Sequence, residues 1–94
     1  MRVRWLRTAL RNLDDEATYI AADNPKAAQS IVERVLMAVA ILQEQPGIGR
    51  PGRVPGTREL VVPDTQYLVP YRARGDVVEI LRVFRTSRRQ PRRW

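Results

Sequence analysis

Arginine carries most of the chemistry open to this chain. Of its 17 basic residues only Lys26 is a lysine, and the sequence holds no histidine and no cysteine. Arginine presents a planar fork of donors that pairs bidentately with carboxylate or phosphate, and it keeps its proton in proteins. It can stabilise developing negative charge, but it is a poor general base. Without histidine the chain lacks the commonest metal ligand and the commonest acid–base group, and without cysteine it has no disulfide and no thiolate metal site. These residue types favour recognition of an anionic or acidic macromolecule over turnover of a small metabolite, and they call for no metal and no cofactor.

The charge is unevenly placed. Residues 1–48 hold six basic and six acidic side chains. Residues 49–94 hold eleven arginines against Glu59, Asp64, Asp76 and Glu79, so the whole net charge of +7 falls in the second half. Arg85, Arg88, Arg89, Arg92 and Arg93 form its densest run. The same half offers four carboxylates, Tyr67 and Tyr71 as candidate bases for any proton transfer.

The elements that must position these groups can be read from apolar spacing. A chain of 94 residues makes one domain, residues 1–94. No apolar run approaches the ~18–20 residues of a membrane span. The opening Met-Arg-Val-Arg-Trp lacks the pattern of a signal peptide, so the expected setting is cytoplasmic. Residues 2–5 alternate as a short strand. Leu6, Leu10, Leu13, Ala17 and Ile20 then mark one face of a helix. Asn24 and Pro25 have the types wanted at the cap and first turn of a second helix. Ala28, Ile31, Val32, Val35, Val39 and Leu42, widened by Ala38 and Ile41, carry it to about Gln45, where Pro46-Gly47 stops it.

An irregular Pro/Gly-rich loop follows over 46–56. Strands are expected at 57–62, 66–73 and 77–85, the last being the longest. Arg74-Gly75-Asp76 reads as a tight hairpin turn. Pro70, inside the middle run, implies a sheet edge or a local bulge. Residues 86–94 read as a basic tail or a short terminal turn. The expected fold is α+β, in the order β-α-α-β-β-β, with a helical hairpin on one face of a small, largely antiparallel sheet and the other face open. Tyr67, Tyr71 and Trp5 read as core aromatics. Arg58, Arg72 and Arg82 are open between two roles: contacts to a target, or ion pairs across the sheet with Glu79 or Asp76.

Several local strings, in this order, resemble the RelE/ParE superfamily of bacterial type II toxins, and its ParE branch most. They are Leu13-Asp14-Asp15 with Tyr19-Ile20, then Pro46-Gly47-Ile48-Gly49, then Pro55-Gly56-Thr57-Arg58-Glu59-Leu60-Val61. Tyr67-Leu68-Val69-Pro70-Tyr71-Arg72 and Val78-Glu79-Ile80-Leu81-Arg82-Val83 complete the set. The resemblance implies a toxin neutralised by a small ParD-like antitoxin whose acidic C-terminal segment wraps the hairpin and sheet. It implies antitoxin contacts at Leu13, Tyr19, Ile20, Arg58, Glu59 and Trp94, and target contacts at Arg58, Arg72, Arg82, Arg85, Arg88 and Arg89. Two targets stay open: DNA gyrase, as for ParE-type members, or the ribosome, where RelE-type members cleave messenger RNA. RelE-type nucleases place an arginine where this chain has Leu68, and many relatives carry histidine at the position of Arg85. Those departures turn the expectation toward gyrase inhibition without catalysis.

Overall fold

The computed structural model describes residues 1–86; Arg88, Arg89 and Trp94 lie outside the described residues. The chain runs β1 (Arg2–Trp5), α1 (Arg7–Ala21), α2 (Pro25–Ala40), β2 (Arg50–Pro51), β3 (Arg58–Val61), β4 (Tyr67–Arg74), β5 (Val77–Ile80) and β6 (Phe84–Arg85). A 3-10 turn at Ile41–Gln43 continues α2.

The two helices form the expected hairpin. The Asn24 side chain accepts the Ala27 N–H at 3.1 Å, and Pro25 occupies the first helical position, where its missing donor costs nothing. The apolar stripe of α1 is turned from the expected one. Ala9, Leu13 and Glu16 face inward, while Leu10 is 49% exposed. Leu10 follows Ala9 by one residue, about 100° around the helix, and that rotation takes it out of a narrow contact. On α2, Ala28, Val35, Ala38 and Val39 are buried as expected, but Ile41 stays 48% exposed where the helix tightens into the 3-10 turn.

The sheet runs β1-β5-β4-β3-β2, and β6 pairs with the first part of β4. The β1–β5 pair is parallel and the rest are antiparallel. The two-residue β2 is an extra strand inside the Pro/Gly loop. Gly75, with φ +62°, makes the turn between β4 and β5.

Three expectations need correction. The run 77–85 is two short strands separated by residues 81–83, and β4, with 8 residues, is the longest strand. Pro70 marks neither an edge nor a bulge in its own strand, because it lies in the middle of central β4. Its carbonyl accepts the Leu81 N–H at 2.9 Å. In an extended strand the N and C=O of one residue point the same way, so the missing donor faces the gap between β5 and β6. The outer face is also less open than expected, since Leu68 and Pro70 are fully buried on the side away from the helices. On the helix side, Tyr67, Val69, Tyr71, Val78 and Ile80 pack against Ala9, Leu13, Val35, Val39 and Leu42 as one core.

Candidate functional site

The alternation along β4 sorts its side chains. Tyr67, Val69 and Tyr71 point into the core, and Arg72 points outward. Both tyrosine hydroxyls are consumed there. Tyr71 Oη donates to the Pro46 carbonyl at 2.7 Å and accepts the Gly49 N–H at 2.9 Å. Tyr67 Oη donates to Glu16 Oε1 at 3.0 Å. The same Glu16 oxygen accepts from Arg85 Nη2 at 3.2 Å, and the Arg85 guanidinium lies 5.2 Å from the centre of the exposed Tyr19 ring. Burial pushes the Tyr67 phenol above its usual pKa, and its hydrogen bond with Arg85 raises the arginine in turn. Tyr67 is therefore held protonated, opposite to what a base requires.

The outer face is an alternation of charge built by strand register. Arg4 faces Glu79 across β1–β5, and Glu79 faces Arg72 across β5–β4. Arg72 Nε meets Glu79 Oε1 at 2.8 Å and Arg74 Nε lies 3.7 Å from the same oxygen. The hydrogen bond from Arg72 holds the Glu79 carboxyl below the usual carboxylate range, with the charges of Arg72, Arg74 and Arg4 adding to it. Towards the other edge, Arg50 faces Glu59, with Nη2 and Oε1 3.4 Å apart. Glu59 also accepts the Arg53 N–H at 3.0 Å.

A groove of about 840 Å³ lies between α2 and the outer edge of β3. Met37 from α2, Ile41 from the 3-10 turn that follows it, Ile48 from the loop, and Leu60 and Val61 from β3 line it, together with the charged Glu33, Arg34 and Arg50. Met37 is 71% exposed, unusual for so large an apolar side chain.

The expected site residues are scattered among these features. Arg58 faces Tyr71, on the helix side of the sheet, and donates to the Gly49 carbonyl at 2.8 Å; neither Glu79 nor Asp76 is its partner. Arg72 does pair with Glu79, and Arg82 reaches back to the Leu81 carbonyl at 2.6 Å. Leu13 is buried in the core and presents little surface, whereas Tyr19 is exposed and Ile20 half-buried. Glu59 is buried beneath Arg50. The residues that the sequence reading missed are Glu16, Arg4, Arg50, Arg74 and the groove-lining Met37 and Ile48. A signal existed for Glu16, since it sits three residues after Leu13 on a core-facing stripe, where an unpaired carboxylate would be costly.

Among the described residues no group of three acidic, histidine or cysteine side chains could hold a metal, and no helix is long and apolar enough to cross a membrane. Residues 3–90 match the model of the ParE toxin of the parDE type II toxin-antitoxin system. The chain belongs to the ParE toxin family. A curated relative from Sinorhizobium fredii, named "Putative toxin Y4kP", is 48% identical over 96% of this chain and 93% of its own length. A solved chain described as the chromosomal ParDE TA system from P. aeruginosa superposes with a TM-score of 0.81 at 33% identity, covering 90% of this chain and 95% of that one. The ParE branch and the α+β fold expected from the sequence are both met. As a ParE-family toxin the chain is one half of a two-component system whose other half is an antitoxin.

Proposed function

We propose that this ParE-family toxin acts by binding and not by catalysis, that its target is DNA gyrase, and that a ParD-like antitoxin neutralises it by laying an amphipathic helix into the α2–β3 groove. The observation that carries the non-catalytic reading is the engagement of five of the six candidate bases, all but Asp76 in the β4–β5 turn. Tyr67 and Tyr71 spend their hydroxyls inside the core. Glu59 and Glu79 are buried against arginines. Asp64, in the turn between β3 and β4, is exposed and lies 3.5 Å from Arg34 of α2. Leu68, where RelE-type nucleases carry arginine, is fully buried. Message cleavage would need a base and an acid converging on one ribose phosphate, and these groups do not converge.

The antitoxin reading rests on the groove. Its apolar lining suits anchors at i, i+3, i+4 and i+7 of a helix, and the chain's net charge of +7 favours an acidic partner. Two assays on the purified chain test the target. Inhibition of gyrase supercoiling, with messenger RNA left intact in a translation extract, is the expected result. Ribosome-dependent cleavage of message with supercoiling unaffected would overturn it.

A further inference from the structure

A cluster of exposed apolar side chains and a cluster of outer-face arginines occupy different surfaces of this protein. Met37, Ile41, Ile48 and Val61 gather around the α2–β3 groove. The far corner of the sheet, where β1, β5 and β4 lie side by side, carries Arg2, Arg4, Arg72 and Arg74 instead. Register sets their arrangement: Arg2 faces Val77, which faces Arg74, while Arg4 faces Glu79, which faces Arg72. Directly opposed residues share a face, as do residues two apart on a strand, so all four arginines stand on the outer face. They mark the corners of a rectangle about 7 Å along the strands and about 10 Å across two strand spacings. Glu79 engages Arg72 and Arg74, but one carboxylate cannot neutralise four guanidiniums. Even with Asp76 in the adjoining turn, the corner keeps a positive excess.

We propose that this arginine rectangle is a docking surface for the phosphate backbone of duplex DNA. A protein partner needs an apolar centre to its interface, and here the four arginines surround only Val77 and Glu79, with the exposed Met1 at the margin beside Arg2. Interfaces with DNA are instead polar and strongly positive, and half or more of their hydrogen bonds go to phosphate and sugar. Two columns of arginine match two rows of phosphate across a groove about 12 Å wide, with the long side chains taking up the difference. A single strand offers only one row. The 2.8 Å bond from Arg72 to buried Glu79 orders that arginine before any partner arrives, which lowers the entropic cost of binding. The choice of DNA over duplex RNA rests on the gyrase reading above.

The test uses the full chain and a labelled 20-base-pair DNA duplex of arbitrary sequence, with binding followed by fluorescence anisotropy across a salt series and no gyrase present. The parent chain should bind with a steep salt dependence. The double variant R2Q/R74Q should bind at least about tenfold more weakly at low salt, with the slope of log affinity on log salt reduced by about two. R2K/R74K should keep most of the slope. R7Q/R11Q, which removes the same charge from exposed α1 positions, should bind as the parent does, and circular dichroism should show every variant folded. An unchanged slope in R2Q/R74Q, an equal loss in R7Q/R11Q, or no salt-dependent binding by the parent overturns the proposal. Equal or tighter binding of a matched RNA duplex overturns the assignment to DNA. A parent that binds DNA through these arginines but leaves supercoiling untouched sinks the gyrase reading, not this surface.

Discussion

The phenol of Tyr71 rests so closely on the backbone of Gly49 that a Cβ at residue 49 would lie 2.7 Å from the ring and 2.9 Å from the Glu59 carbonyl. The contact is also a hydrogen bond, from the Gly49 N–H to Tyr71 Oη at 2.9 Å. It ties the irregular loop after α2 to the middle of the central strand. Arg58 takes the other side of the same residue by donating to its carbonyl. The glycine therefore holds one wall of the groove against the sheet.

Gly49→Ala should destabilise the fold by about 1–3 kcal/mol, because the ring of a buried tyrosine and a strand carbonyl have little room to give. Tyr71→Phe should cost a similar ~1–3 kcal/mol by leaving a buried N–H without an acceptor. Urea unfolding of both single variants and the double variant checks this. The double should fall short of the sum, since both changes break one contact.

Glu16 joins α1 to β4 and β6 through Tyr67 and Arg85. Glu16→Gln keeps the shape but removes the charge facing a guanidinium whose side chain is 25% exposed. A loss of about 1–3 kcal/mol is expected. Arg85→Gln in the same background should cost less than it does alone, as read from a double-mutant cycle on chemical denaturation midpoints. Additive losses would show that the two side chains do not support each other.

Two groups set opposite limits on stability with pH. Glu79 binds its proton more weakly in the folded chain than an ordinary glutamate does. Its contribution is present above the ordinary carboxylate range and is lost as pH falls through the lowered folded value. Tyr67 holds its proton more tightly than an ordinary tyrosine does, so its contribution is present below the ordinary phenol range and is lost as pH rises through the raised folded value. Unfolding curves from acid to alkaline pH should show both flanks. Glu79→Gln should flatten the acid flank alone, and Tyr67→Phe the alkaline flank alone.

Met37→Glu and Ile41→Glu place charge on an apolar surface that the chain leaves open. Both side chains are about half exposed or more, so folding stability should change by no more than ~0.5 kcal/mol. Capture of the cognate antitoxin should fall by about 2 kcal/mol, roughly 30-fold, for each if they anchor its helix. Calorimetric titration measures the affinity. Variants that bind the antitoxin as tightly as the parent place its helix elsewhere.

Local order was readable in the residue types themselves. The helical hairpin followed from apolar spacing and from Asn24-Pro25, because capping and periodicity act within a few residues. Strands β1, β3 and β4 were legible for the same reason, and the linked strings from Leu13 to Val83 were enough to identify the family. Strand register is a different kind of fact. It alone set Arg4 and Arg72 on either side of Glu79, put Arg50 over Glu59, and turned Arg58 toward Gly49 instead of Glu79. Pro70 was misjudged because its missing donor has to be weighed against what lies opposite, and the gap at residues 81–83 is seen only once β5 and β6 are paired with β4. The imbalance of charge belongs to the sequence. Which arginines are held by a carboxylate and which face outward in excess was decided by the sheet, since a guanidinium finds its partner across strands separated by many residues of chain.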